Sequence, residues 1–504
     1  MGWYGRMESF GSSGGGGRGS LGTGGGVEGG GESCLHGCWP CAFPFNDERH
    51  ATHTSLEQVR TEEVVAPLLA AAQAPPQLLP RLQHECHTAY LRAALEGAMG
   101  AECSGYDSSR VWLVYWCLQA LDLLGQAHGG KGMVATLERC TDFLGRCQHP
   151  EGGFGGGPGQ QAHAASTYAA VGACLIIGTP RALALTHRPN LAAFFARLKR
   201  AVLPLGATAA AACAFAVTAD AAAHGEHDTR GTYTVLAAAA AMGILTPALT
   251  EGCREFLVAC QSPEGGFGGE AGNEAHGGYT YCALAALAVV EQAGSGGASG
   301  GGASAGAAAR LAAQGVDVGA LWRWLAQRQL ACEGGFSGRT NKLVDVCYSF
   351  WIGAACALAG MGGSSSSSSS SSSGEGEGGA APAPLALAQQ LYILAAAQRA
   401  STGGGGGGKG GFRDKPSKPV DHYHTCYALA GLSVVVWEEG MGGGEEAREA
   451  LRGMLAPTDC VFNVRPERLL AAKLFFSTGS AADAAAAAAG GGEAGDGEAG
   501  GAEN

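Results

Sequence analysis

Asp345 and Cys347 stand two residues apart in the run Asn341-Lys342-Leu343-Val344-Asp345-Val346-Cys347-Tyr348-Ser349-Phe350-Trp351, near a helix start that the apolar residues after it predict. A carboxylate and a thiol at that spacing can reach one ion. Further along, Asp421-His422-Tyr423-His424-Thr425-Cys426-Tyr427 offers two imidazoles. One Asp, one Cys and one His make a three-ligand zinc set with a coordination position left open, as a catalytic metal requires. Spacing alone does not fix the set, because either histidine is far from Asp345 and an Asp-x-Cys pair is more often a turn or a core thiol. Arg339 and Lys342 precede the pair by about a turn and would suit an anion, although such cations are more often solvated surface.

The elements that must hold these residues are written as a repeat. Gly-Gly-Phe recurs at Phe154, Phe267, Phe336 and Phe412, and the first three copies follow a cysteine (Cys147, Cys260, Cys332). The phenylalanines are 113, 69 and 76 residues apart. Without the low-complexity inserts 293–309 and 362–384 the last two intervals fall to about fifty residues, and the first spans two periods. Segments between the turns, such as Trp112–Leu121 and Tyr279–Leu287, are apolar enough for helices buried on more than one side. Strand signals are scarce. The expected fold is all-α: an α/α barrel (toroid) of repeated helix pairs, with an open α-solenoid as the plainer alternative. A fifth turn is due near 203–226, where the chain is Ala-rich and has no Gly-Gly-Phe. There we expect a damaged repeat with weakened packing.

Gly supplies 86 of the 504 residues. The stretches 1–50 and 478–504 are expected to be disordered tails around a core at 51–477, interrupted by insertions at 293–309, 362–384 and 402–411. The net charge of −12 and the lack of a basic run argue against nucleic acid. No apolar run is long enough to span a bilayer. The 18 cysteines lack a regular pairing and no secretory signal precedes them, so reduced thiols in the cytoplasm are expected. Cys34-Leu-His36-Gly-Cys38-Trp-Pro-Cys41 matches no common zinc finger and is read as incidental.

The two metal-ligand stretches closely resemble the β subunits of protein prenyltransferases, and the match runs from about Ser55 to Ser477 outside the inserts. The resemblance places zinc on Asp345, Cys347 and His424, one ion per subunit, and leaves His422 out. It assigns His276, Arg339, Lys342 and Tyr348 to a diphosphate pocket. The isoprenoid wall would comprise Arg230, Tyr233, Tyr168, Gly278, Tyr279, Cys282 and Trp351. Trp112, Trp116 and Tyr423 would face the peptide, with His163, Ser108 and Ser109 near its last residue. On the plainer reading the aromatics are helix core. Ser166 stands where the family has proline.

The implied reaction is attack by a zinc-held cysteine thiolate of a C-terminal Cys-a-a-X protein on a prenyl diphosphate. Farnesyl diphosphate is favoured over the longer geranylgeranyl by three features. They are bulky Trp112 and Trp116, the form of the Cys147–Gln160 turn with Thr167-Tyr168, and Asp414 before Lys415-Pro416. An Asp at that place is associated in the family with magnesium. The family also implies an obligate α subunit. Remaining alternatives are a geranylgeranyltransferase type I β subunit and an inactive scaffold. A squalene-type cyclase is excluded by the missing acidic protonating motif.

Overall fold

A computed structural model describes residues 52–73, 80–97, 101–130, 132–202, 212–219, 226–294, 306–361, 386–399, 410–438 and 445–489. Helix dominates. After α1 (His53–Gln73) the described residues form six helix pairs. They are α2 (His84–Glu96) with α3 (Arg110–Leu123), α4 (Met133–Cys147) with α5 (Ala164–Ile177), and α6 (Arg188–Leu198) with α7 (Thr229–Ala241). The others are α8 (Cys253–Ala259) with α9 (Gly277–Gly294), α10 (Val318–Ala326) with α11 (Tyr348–Leu358), and α12 (Ala386–Leu391, continued by a π turn to Ala397) with α13 (His422–Trp437).

The second helix of each pair packs on the second helix of the next, and α13 packs back on α3. The inner ring is therefore closed, which decides for the toroid over the open solenoid. These inner helices are buried almost all round, as in α5, where every residue from Ala164 to Ile177 is buried. That is why their sequences show little polar face. The outer helices, such as α4 and α10, bury one stripe only.

Each turn from outer to inner helix is built alike. Gln148, Gln261, Gln329 and Gln398 form antiparallel bridges with Phe154, Phe267, Phe336 and Phe412, whose side chains are fully buried. The glycine pairs let this turn touch the next outer helix. A Cβ on Gly265 would come within 2.1 Å of the Ala320 carbonyl, and one on Gly410 within 2.1 Å of the Cys86 carbonyl. The second contact joins the last turn to the first outer helix, closing the outer ring too.

The expectation of a damaged repeat near 203–226 is corrected in part. A two-stranded hairpin, β1 (Lys199–Val202) with β2 (Ala212–Phe215), replaces the glycine turn. Phe215 pairs with Lys199 and is fully buried, and its N–H donates to Thr232 Oγ1 at 3.4 Å. The same bond occurs from Phe154 to Thr167, Phe267 to Thr280 and Phe412 to Thr425. Phe215 is thus the fifth repeat phenylalanine. Residues 203–211 and 220–225 of the anomalous stretch lie outside the described residues.

Two other boundaries differ from the compositional reading. Gly410 and Gly411, counted above both in the insertion 402–411 and in the last Gly-Gly-Phe, belong to the turn. The C-terminal helix α14 (Pro466–Ala489) continues past 477, where its sequence turns to alanine, the best helix former. The stretches 1–50 and 362–384 lie outside the described residues, as does most of 293–309 and 402–411. No helix among the described residues is long and apolar enough to cross a membrane.

Candidate functional site

Because every inner helix follows an outer one, the inner helices run parallel and their N-termini share one end of the ring. Polar side chains accept backbone N–H groups at the starts of five of them. Asp228 Oδ1 accepts from Arg230 and Gly231 N–H, Asp345 Oδ1 from Cys347 N–H, and Asp421 Oδ1 from His424 N–H. His163 and His276 do the same through Nδ1, accepting from Ala165 and Gly278. Converging N-termini make this mouth favourable for an anion.

The other end is closed by the segment before α14. Tyr115 donates to the Asn463 carbonyl, Tyr168 to Phe462, and Tyr233 and Tyr281 both to Val461, at 2.7–3.1 Å.

Asp345, Cys347 and His424 come together at the mouth. Their ligand atoms lie within 4.8 Å of one another and all three residues are buried. His424 Nε2 is 3.4 Å from Asp345 Oδ1, and its Nδ1 is 2.7 Å from Asp421 Oδ2. Asp421 therefore fixes the ring and aims Nε2 at the cluster, as partners of metal-bound histidines do. Burial opposes charge on His424, but Asp421 and Asp345 outweigh it and hold its pKa well above the ordinary value. Burial likewise opposes charge on Asp345, yet the facing His424 keeps that carboxyl well below the usual range. Burial and Asp345 push the Cys347 thiol far up. A thiol so placed ionises readily only beside a cation, and a thiolate, an imidazole and a carboxylate are the donor set zinc prefers. His422 is not part of the cluster. It stacks flat on Tyr90, ring centroids 4.7 Å apart.

Tyr348, at the start of α11, is seated between two glycines. A Cβ would lie 2.0 Å from its ring on Gly338 and 2.9 Å on Gly277. Its hydroxyl is 3.0 Å from His276 Nε2. Since His276 Nδ1 accepts from Gly278, Nε2 carries the proton of a neutral ring and donates to Tyr348. Burial, with Arg339 and Arg230 nearby, lowers the His276 pKa to about 3. Arg339 pairs with Glu274 at 3.0 Å and Lys342 is half-buried on the same loop. The loops that carry His276 and Tyr348 are thus joined by the Arg339–Glu274 pair as well as by the His276–Tyr348 contact.

Below them an aromatic belt passes once round the inner ring. Neighbouring ring centroids lie 4.3–5.9 Å apart through Trp116, Trp112, Tyr168, Tyr233, Tyr281, Trp351, Tyr427 and Tyr423, which returns to Trp116. Six of the eight were expected here. Tyr281 and Tyr427 were missed, though helical spacing from Gly278 and Tyr423 would have found them. Tyr279 is instead half-buried at the mouth, beneath the Arg230 guanidinium at 4.7 Å. Arg230 is buried and paired with Asp228 at 2.5 Å and Glu226 at 3.0 Å. Gly278 opens α9 and Cys282 is buried one turn below it. His163 caps α5, Ser109 precedes α3 and Ser108 is exposed.

Asp414 is buried, and Lys415 donates to both its carboxylate oxygens at 2.5 and 2.6 Å. Burial and Asp345 raise its pKa to about 6, and Lys415 works against that rise. Lys415 thus supplies the positive charge that faces both Asp414 oxygens.

Residues 82–464 match the prenyltransferase alpha-alpha toroid domain. The sequence is 32% identical over 441 residues to the protein farnesyltransferase subunit beta of Arabidopsis thaliana, covering 78% of this chain and 83% of that protein. This chain belongs to the protein prenyltransferase β-subunit family. With the geranylgeranyl transferase type-1 subunit beta of the same plant, identity is 38% but covers only 27% of this chain and 34% of that protein. The solved Candida albicans protein geranylgeranyltransferase-I, complexed with GGPP, has the same fold. The TM-score is 0.54 at 17% identity, over 79% of this chain and 99% of that one. A prenyltransferase β subunit of farnesyltransferase type accounts for the closed ring, its aromatic belt and the metal-ligand cluster at the mouth.

Proposed function

We propose that this chain is the catalytic β subunit of a protein farnesyltransferase. It would move farnesyl from farnesyl diphosphate to the cysteine of a C-terminal Cys-a-a-X protein, in a heterodimer with an α subunit. The observation that carries the reading is the placement of Asp345, Cys347 and His424 between the His276–Tyr348 pair and the aromatic belt.

Asp345, Cys347 and His424 would hold a zinc ion, which when bound would leave a position for the substrate sulfur and would lower its pKa, so that the thiolate would be the nucleophile. The rest follows from the chain itself. The belt supplies an apolar wall for the isoprenoid. Tyr348 O–H, the helix N-termini, Arg339 and Lys342 face the negative charge that grows on the leaving diphosphate as its bond to C1 breaks. His276 stays neutral and orients the Tyr348 hydroxyl.

Farnesyl is favoured over geranylgeranyl in this reading because Trp112 and Trp116, neighbours in the belt, would shorten the lumen. Asp414 is the magnesium ligand this reading implies. Competition between the two prenyl diphosphates on the purified heterodimer tests the choice. Preferred transfer of farnesyl supports it, and preferred transfer of geranylgeranyl overturns it.

A further inference from the structure

In five turns of the ring, the carbonyl two residues past the repeat phenylalanine accepts from the start of the preceding inner helix. Val111 donates to Gly156, Ala164 to Val217, Thr229 to Gly269, Gly277 to Gly338 and Val346 to Asp414, at 2.8–3.2 Å. Four of these positions carry glycine or valine; the fifth carries a carboxylate. Its donor, Val346, sits between Asp345 and Cys347, and Tyr392 O–H donates to the same Asp414 carbonyl at 2.9 Å. The backbone of Asp414 is therefore pinned beside the zinc cluster and cannot carry its charge away.

That charge is balanced from within. Lys415 Nζ holds both oxygens of Asp414, and the two residues are 9% and 6% exposed. A buried carboxylate stripped of its cation is strongly disfavoured. Magnesium also binds through carboxylate oxygens, keeping several waters. The two cations compete for the same atoms.

We propose that Lys415 is the resident counter-cation of Asp414 and sets how tightly a divalent cation binds there; this rests on the prenyl-transfer reading above. Removing the ammonium leaves the buried Asp414 carboxylate without a counter-cation, so at a pH where it is ionised a divalent cation takes that place more tightly. Replacing it with a guanidinium, which grips a carboxylate through two parallel bonds, weakens divalent binding.

The test uses the α/β heterodimer with farnesyl diphosphate bound and no peptide, titrated with Mn²⁺ while electron paramagnetic resonance follows the free ion. Lys415→Met is expected to bind Mn²⁺ at least about ten-fold more tightly than the wild type, since the ion no longer has to replace a buried partner of the carboxylate. Lys415→Arg is expected to bind it more weakly, and Lys415→Met with Asp414→Asn to lose the gain. Zinc content and circular dichroism establish that each variant is folded. Equal Mn²⁺ affinity in wild type and Lys415→Met overturns the proposal, as does a gain that survives Asp414→Asn. Failure of the wild type to retain farnesyl diphosphate sinks the functional reading and this proposal with it, whereas equal affinities with the diphosphate bound sink this proposal alone.

Discussion

His424 Nδ1 lies 2.7 Å from Asp421 Oδ2, and Asp421 Oδ1 caps the same helix by accepting the His424 N–H. One carboxylate thus starts α13 and also fixes the ring that completes the metal cluster. Asp421→Asn keeps the cap but weakens the hold on the imidazole. Zinc affinity should fall about 10- to 100-fold, the usual effect of losing such a partner. Competition with a chelator measures it, and unchanged affinity would show that Asp421 does not orient His424.

Phe215 replaces a repeat phenylalanine without the glycine turn. Phe215→Ala should destabilise the fold by about 3–5 kcal/mol, as for other buried aromatic truncations. Thermal unfolding reads this directly. Amide exchange in Ala212–Phe215 should be as slow as in neighbouring strand and helix ends. Fast exchange there would restore the damaged-repeat reading.

Trp112 and Trp116 are adjacent in the belt, 5.7 Å between ring centroids. Trp112→Ala should open space along the lumen and shift preference toward geranylgeranyl diphosphate. Competition between the two diphosphates gives the ratio. No shift would mean that this side chain does not limit chain length.

His87 joins the ends of the ring, with Gly411 N–H donating to its Nδ1 at 2.9 Å and Gln398 at its Nε2. Burial lowers its pKa to about 4 from an ordinary 6.5. The unfolded chain then binds more protons between those values, so stability is present above about pH 6.5 and is lost as pH falls toward 4. His87→Gln should flatten this acid slope in denaturant titrations. An unaltered slope would place the acid sensitivity elsewhere.

Much of this was legible in the sequence because the ligand residues sit inside short, distinctive runs. Asp345, Cys347 and His424 could be read through the family resemblance that those runs carry, and a helical repeat from the spacing of Gly-Gly-Phe, which left ring and open solenoid undecided until α13 was seen to pack on α3. What escaped depended on the third dimension. Phe215 was hidden because a hairpin, not a glycine turn, brings it into register with Lys199. Gly410 stands both in a glycine tract and in the last Gly-Gly-Phe, and the approach of the Cys86 carbonyl shows why that glycine is required. Tyr281 was passed over for Tyr279, since two residues along a helix reverse which face meets the lumen. The burial of Asp414 together with Lys415 was not legible either, since adjacent charged residues are mostly exposed.

The central claim is tested most directly by zinc content and farnesyl transfer to a Cys-a-a-X peptide, measured together on the heterodimer and on its Cys347→Ala variant. The wild type should hold about one zinc per β subunit and transfer farnesyl, with three protein ligands and one open position. The folded variant should lose the metal and the transfer. Full transfer without Cys347 would contradict the account.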